Sequence, residues 1–286
     1  MENYSDRIEN YQGFPWLIFK LGNTKYAINS KIITYISSLP NNITPVPNSS
    51  NYIEGIMKQR GEVIPLLTMR VLFCISSLEN EYKEFESFIL RAEKEHLDWV
   101  NEFKNSIEKG TEFTLNRNPA NCEFGKWCKS YNADNDIISY HIKKIEKLYE
   151  ELYLLSNQLE NCAKMEEKEK SRFLKEEVFP ALERCSSKIL KYLSKILSVM
   201  KDDCKRMVIT IKKEDLHIGI IVDNVCSVEK LECITDFEVR GNSYNSKFIL
   251  GVGKSQKSPD ELILMLNEDA LIQAVNEENI NLEQLS

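Results

Sequence analysis

Between residues 79 and 205 apolar side chains recur at steps of three and four, whereas the stretches on either side run as short β-rich segments broken by turns. No one periodicity spans the chain, so neither a single continuous sheet nor a single bundle can absorb all of it. The helical stepping passes through Leu78, Tyr82, Phe85, Ile89, Ala92, His96, Trp99, Phe103 and Ile107 and ends before Gly110. It returns at Ile138, His141, Ile145, Leu148, Leu152, Leu155, Leu159 and Cys162, and again at Leu174, Val178, Leu182, Cys185, Ile189, Tyr192, Ile196 and Met200. Three long amphipathic helices are predicted, the last bent at Pro180, whose ring and missing amide interrupt the ladder. With a short fourth helix from Pro119 to Lys129, the block reads as an antiparallel bundle. It holds 47 charged side chains in 127 residues, against 34 in the remaining 159, as solvated outer helix faces require.

The flanking segments have a different grammar. Trp16-Leu17-Ile18-Phe19 and Lys25-Tyr26-Ala27-Ile28 flank a turn at Gly22-Asn23, and Ile32 to Ile36 leads to a loop, Thr44-Pro45-Val46-Pro47, that belongs on the surface. Ile53 to Met57 and Glu62 to Leu67 flank Gln59-Arg60-Gly61, the rhythm of a tight hairpin. Beyond the bundle, Met207 to Ile211 with His217 to Val222, and Phe248 to Val252 with Glu261 to Leu266, repeat it. Short strands at this spacing imply small barrels or a sandwich.

Charge narrows the partners. Lysine and arginine number 37 against 44 acids, giving a net charge of −7 that argues against a phosphate-neutralising surface, so nucleic acid is not expected. No apolar run approaches the roughly 18 residues of a membrane span. Asp6, Glu9 and Gln12 break the basic-then-apolar order of a signal peptide, so a cytoplasmic location without membrane insertion is expected. The 8 cysteines are too scattered for a secreted disulfide scaffold.

Two histidines, His96 and His141, sit on the apolar seams of long helices, where an imidazole must hydrogen-bond or bind something to offset its desolvation. Between them stands Cys122, and two nitrogens with one sulfur form a set suited to Zn²⁺. His96-Leu97-Asp98-Trp99 followed by Cys122-Glu123-Phe124-Gly125-Lys126-Trp127 resembles the chemoreceptor zinc-binding (CZB) domain, a helical bundle. That resemblance implies zinc held by the first histidine, the cysteine and two histidines spaced His-x-x-x-His on a later helix. Here the last motif is broken: the region offers His141 with Ile145, or, at the usual longer spacing from Trp127, Tyr149 and Tyr153. At about 1.5 Å per residue, His96 lies roughly 20 Å before the end of its helix and His141 about 10 Å into the later one. A level match favours positions near Ile145 to Leu148, and Cys185, on the inward seam of the last helix, is a substitute ligand.

The flanks carry a second resemblance. Trp16 to Phe19, Thr44-Pro45-Val46-Pro47, Ile53-Glu54-Gly55-Ile56, Arg60 to Arg70, Gly219 to Val225 and the closing runs at Phe248 to Gly253 and Leu262 to Leu266 together look like CheW, the bacterial chemotaxis coupling family. The resemblance implies a non-enzymatic adaptor of two small five-stranded barrels, joining chemoreceptor cytoplasmic tips to the regulatory domain of the histidine kinase CheA. Carried over by position, Arg60 matches the arginine of the Asn-Leu-Arg-Gly turn, Gly61 and Pro65 shape the hairpin, and Asp223 matches the Val-Asp-x-Val aspartate. Lys58-Gln59 replace the usual Asn-Leu, and Tyr35 stands where many members have a glutamate that pairs with the arginine. Gly55, Gly61 and Gly251 read most simply as turn or bulge residues.

Two weaker signals carry nothing. Gly253-Lys254-Ser255 lacks the earlier glycine of a phosphate loop, Phe248 standing there, and His217 has no nucleophile motif beside it. The expected fold is therefore α+β: a CheW-like pair of small five-stranded β-barrels (14–78 and 206–275) interrupted by an inserted CZB-like antiparallel helical bundle (79–205), with a C-terminal tail at 276–286. The expected function is a chemotaxis adaptor whose insert binds zinc and senses metal or oxidant. The alternatives are a metal-free thiol redox module at Cys122 or Cys128, and a zinc-dependent enzyme using His96, Cys122 and His141.

Overall fold

A computed structural model describes residues 13–116, 118–131, 135–162, 165–214, 216–234 and 244–278. The chain divides into two compact units, Met1–Leu78 with Cys204–Ser286, and Glu79–Asp203. In chain order the first unit opens with β1 (Trp16–Leu21), β2 (Thr24–Asn29), β3 (Ile33–Ser38), β4 (Ile53–Gln59), β5 (Glu62–Thr68) and a short α1 (Met69–Leu72). The second unit holds α2 (Leu78–Lys109), α3 (Glu123–Ser130), α4 (Asp136–Cys162), α5 (Glu167–Phe173) and α6 (Phe179–Asp203). The first unit then resumes with β6 (Met207–Lys213), β7 (Leu216–Val222), β8 (Asn224–Glu229), β9 (Leu231–Cys233), β10 (Ile249–Ser255), β11 (Leu262–Leu266) and α7 (Glu268–Glu277).

The β unit departs from two five-stranded barrels. It has one six-stranded sheet, ordered β8-β1-β2-β11-β10-β9, and one five-stranded sheet, ordered β3-β6-β7-β5-β4. In the larger sheet the two edge strands, β8 and β9, are consecutive in the chain with only Lys230 between them. The sheet must therefore curl on itself, and at its rim Ser255 of β10 donates to Glu229 of β8. Among the described residues both ladders stay open, so curled sheets replace closed barrels. Gly55 and Gly251 lie at register shifts in their hairpins, as bulge residues do.

Alternation along β1 explains why nearly the whole strand is buried. Leu17, Phe19 and Leu21 point into a core shared with Ile209, Ile211, Ile218 and Ile220 of the other sheet. Trp16 and Ile18 point the other way, into a smaller core inside their own curl with Ala27, Ile263 and Met265. Met57, Ile64, Leu66, Val208 and Ile221 fill the curl of the five-stranded sheet. Helix α7 closes the shared core with Leu271, Ala274 and Val275. Asn267 caps it by accepting from the Ala270 amide, and Glu268 and Asp269 occupy its positive end. This helix, and strands β8 and β9, were not expected from the sequence; residues 279–286 of the expected tail lie outside the described residues.

In the helical unit the expected periodicities become real helices. One face of α2 buries Ile89, Ala92, His96, Trp99, Val100 and Phe103. Gly110 ends it at φ 64, while the Thr111 amide reaches back to the Ser106 carbonyl, a Schellman closure. The predicted short helix is a 3-10 turn at Pro119–Asn121 followed by α3. The bend expected at Pro180 takes the form of a π turn over Leu174–Val178. Proline offers no amide to the turn below it, and widening that turn lets the helix continue.

Candidate docking site

The β4–β5 connection is the dipeptide Arg60-Gly61, because Gln59 and Glu62 already pair across the ladder. Both turn residues have positive φ, 51° and 89°, the type I′ pattern that suits the twist of the flanking strands. Glycine adopts this freely; an arginine held there costs about 1 kcal/mol, so something else must favour it. Its guanidinium carbon lies 5.4 Å from the centroid of the Tyr35 ring on edge strand β3, where the negative face of the ring attracts a cation. Arg60 is exposed and Tyr35 is 40% exposed, so this stack stands on the surface.

Thr34, Gln59, Glu62, Ile64, Thr210, Lys212 and His217 complete the lining of a shallow cavity of about 320 Å³ beside the stack. His217 Nδ1 contacts the Glu62 carboxylate, and the Thr210 hydroxyl donates to Gln59 Oε1 at 3.4 Å. The Thr34 hydroxyl donates to the Thr210 carbonyl at 3.2 Å. Both hydroxyls are thus committed to amide acceptors rather than to a base. The surface can recognise a partner by stacking, charge and apolar contact.

Of the partner-binding residues expected, Arg60 and Gly61 are exposed at this turn. Pro65 and Asp223 are placed differently from this exposed turn. Pro65 is buried in β5 opposite Ile56, one residue before the β5–β7 ladder begins at Leu66, a position where its missing amide removes no bond from that ladder. Asp223 binds inward. Its Oδ1 accepts from Arg70 Nε at 2.7 Å, and its Oδ2 accepts from Arg70 Nη2 and from the Gly22 amide, both at 2.6 Å. Arg70 also donates to the Ser76 carbonyl, just before the chain leaves for α2. At the return, Arg206 pairs with Glu54 at 2.8 Å, and Glu54 in turn accepts from the Thr68 hydroxyl at 2.7 Å.

The expected zinc ligands are engaged with different partners. His96, 4% exposed, has Nε2 3.0 Å from the Ser186 hydroxyl, while its Nδ1 has no hydrogen-bond partner. Burial pushes its pKa down to about 4. Cys122 caps α3, its sulfur 3.2 Å from the Gly125 amide that donates to it. Gly125 itself is fixed by contact, since a Cβ there would sit 2.3 Å from the Ala120 carbonyl oxygen. His141 lies against the Tyr192 ring, 5.4 Å between centroids, with its Nδ1 also unpartnered; burial and the Lys195 charge lower its pKa. Cys185 donates to Glu151 at 3.3 Å and is raised by burial to about 11. Burial raises Cys128 as well. Among the described residues no three of His, Cys, Asp and Glu converge to hold a metal ion. Zinc takes at least three such protein donors, so this set does not fit it.

Sequence reasoning missed two partnerships. The ring facing His96 is Tyr149, 6.2 Å between centroids, and the cation partner of Arg60 is Tyr35. Tyr35 was visible as a departure from the usual glutamate, and an aromatic ring is one of the few neutral groups that can still attract a guanidinium.

Comparison with known proteins agrees with the β unit. The CheW-like domain family matches residues 15–96, from β1 into the middle of α2. That stretch is thus similar to the CheW-like domain family. Among particular proteins, the chemotaxis protein CheW of Thermotoga maritima is 28% identical over 111 residues, covering 38% of this chain and 71% of the relative. The crystal structure of the scaffolding protein TtCheW from Thermoanaerobacter tengcongensis aligns over 89% of this chain and 88% of its own, with 11% identity and a TM-score of 0.37. No helix among the described residues is long and apolar enough to cross a membrane.

Proposed function

We propose that the β unit is a chemotaxis adaptor that docks the regulatory domain of the histidine kinase CheA and the cytoplasmic tips of chemoreceptors, and that the helical unit is an insertion within it. The observation that carries this reading is the Arg60–Tyr35 stack. A strained arginine is displayed on an exposed aromatic ring, within the segment that matches the CheW-like domain. Such a pair offers a partner the two residue types that most often dominate interface energetics. Lys212 beside it adds positive charge, favouring a partner surface that carries carboxylates.

The test separates docking from folding. Asn-Gly is the preferred type I′ dipeptide, so Arg60→Asn keeps the turn while removing the guanidinium. Binding of the full chain to the cognate CheA regulatory domain and to a receptor tip is measured by calorimetry. The variant should lose about tenfold or more in affinity for at least one of them, with unchanged thermal stability. Wild-type affinity for both in the variant overturns the role of this surface, and no binding of either by the wild type overturns the adaptor reading.

A further inference from the structure

Helix α4 carries a row of side chains at steps of three and four, Ile137, Tyr140, Lys144, Lys147, Glu151 and Leu154, and α6 carries another, Arg184, Lys188, Lys191 and Lys195. Residues at these steps share one face of a helix. Contacts at both ends set the rows side by side. At one end Glu151 accepts from Cys185 at 3.3 Å and lies 3.7 Å from Arg184 Nη2. At the other the Tyr192 ring, between Lys191 and Lys195 in the chain, lies 5.4 Å from that of His141, the neighbour of Tyr140. The helices therefore run antiparallel, and between those contacts the lysines of both line one seam.

The seam carries positive charge that the chain itself does not neutralise. Among the described residues Lys144, Lys147, Lys188, Lys191 and Lys195 make no ion pair. Lys144 and Lys195 rest on the rings of Tyr140 and Tyr192, one turn earlier on their own helices. The acid within the rows, Glu151, is held by Arg184, while Glu183 turns to Lys104 of α2 at 3.0 Å. Like charges at these spacings repel, so an opposite charge laid on the seam is favoured. The α4 row also exposes apolar surface, since Ile137, Tyr140 and Leu154 are each more than half exposed. From Ile137 to Leu154 the row spans about 25 Å at 1.5 Å per residue, the length of about five turns of helix.

These features select a partner. A nucleic-acid duplex or an anionic bilayer spreads its charge far beyond the seam, and a chain of net charge −7 is repelled by such a surface as a whole. A single acidic helix meets the seam alone. Its carboxylates reach the lysines of both rows, and its apolar face covers the side chains at the two ends of the α4 row.

We propose that the α4–α6 seam is a docking strip for an acidic amphipathic helix of a partner protein, which lies along it as one more helix of the bundle, with carboxylates on Lys144, Lys147, Lys188, Lys191 and Lys195. The inference rests on the helical unit alone and stands or falls independently of the surface at Arg60.

The probe is a labelled synthetic helix of about eighteen residues, with leucines at the i, i+3, i+4, i+7 steps and glutamates on the remaining faces. Its binding to the full-length protein is followed by fluorescence anisotropy. The helix should bind, weaken as salt rises, and bind about tenfold more tightly than a scrambled peptide of the same composition. Lys191→Glu with Lys195→Glu should lower the affinity about tenfold or more, with an unchanged circular dichroism spectrum. Lys109→Glu with Lys168→Glu makes the same change of charge at exposed positions elsewhere in the helical unit, and should alter the affinity by less than about twofold. If the reversed variant does not fold, Lys191→Gln with Lys195→Gln decides the matter, with an expected loss of about threefold. No binding by the wild type, equal binding of the scrambled peptide, or wild-type affinity in the folded seam variant overturns the proposal. So does tighter binding of phosphatidylglycerol–phosphatidylcholine vesicles or of duplex DNA than of the helix. Salt-sensitive self-association that disappears in the seam variant also overturns it, because the occupant is then a second copy of this chain.

Discussion

The two units bury polar groups by opposite means. In the β unit a full ion pair goes inside: Arg70 and Asp223 meet through two parallel hydrogen bonds, and the Gly22 amide and Ser76 carbonyl take further contacts at each end. In the helical unit the buried histidines stay neutral, and each keeps an unpartnered Nδ1. An interior built on matched charges fixes geometry through paired hydrogen bonds. An interior built on suppressed charges holds only while the proton stays away. The contrast teaches where each unit is vulnerable.

Removing one half of the ion pair is the strongest way to break the comparison. Asp223→Ala strands a guanidinium that is 5% exposed, and should cost the β unit about 3–5 kcal/mol in urea unfolding. Retention of wild-type stability in this variant would mean that the pair is ornamental and that the two interiors do not differ as described.

Acid tests the helical side. The folded pKa of His96, about 4, lies below the ordinary value of 6.5, so the unfolded chain binds the proton more readily. Stability from this group is fully present above about pH 6.5 and is lost progressively as pH falls towards 4, by about 3 kcal/mol in all. In the β unit the sensitive groups are carboxylates. Hydrogen bonds from Ser255 and Ser227 lower Glu229, and those from Ser50 and Tyr52 outweigh burial to lower Glu278. Their contribution is retained above the ordinary carboxylate value of 4.5 and lost only as pH falls below it. Helical unfolding should therefore begin at milder pH than loss of the β signal, and His96→Gln should flatten the helical pH dependence. Coincident acid transitions in both units would erase the distinction.

Two smaller changes sharpen it. Glu278→Gln weakens the contacts with the Ser50 amide, 2.8 Å, and the Tyr52 hydroxyl, 2.7 Å, that tie the end of α7 to the loop before β4. About 1 kcal/mol should be lost at neutral pH, read as a lower midpoint of the β transition. Tyr35→Ala removes the ring beneath Arg60 and should cost about 0.5–1 kcal/mol, with no effect on the helical transition.

Much of the architecture was legible where a pattern is local. The i, i+3, i+4 stepping of α2, α4 and α6 needs no knowledge of neighbours, and Arg60-Gly61 between two apolar runs marks its own turn. Strands β8 and β9 were hidden because one alternates between exposed and half-buried residues and the other has three residues only. Helix α7 was overlooked although Asn267 and the acidic pair after it mark a helix start, and Leu271, Ala274 and Val275 give it an apolar face. Spacing along one helix could not show that the Tyr149 ring would face His96 of another. Arg70 and Asp223 are 153 residues apart with the whole helical unit between them in sequence, so their pairing carried no local sign.

The mooring of the helical block has a consequence for engineering. Its outgoing strand is tied to Arg70 through Ser76, and its returning strand to Thr68 through Arg206 and Glu54, so both cables run to the same three-residue bollard at the end of β5. A socket of that kind is indifferent to what is plugged into it: excising the helices and splicing in a short glycine-rich bridge, or grafting a foreign module of similar footing, leaves every one of those ties in place.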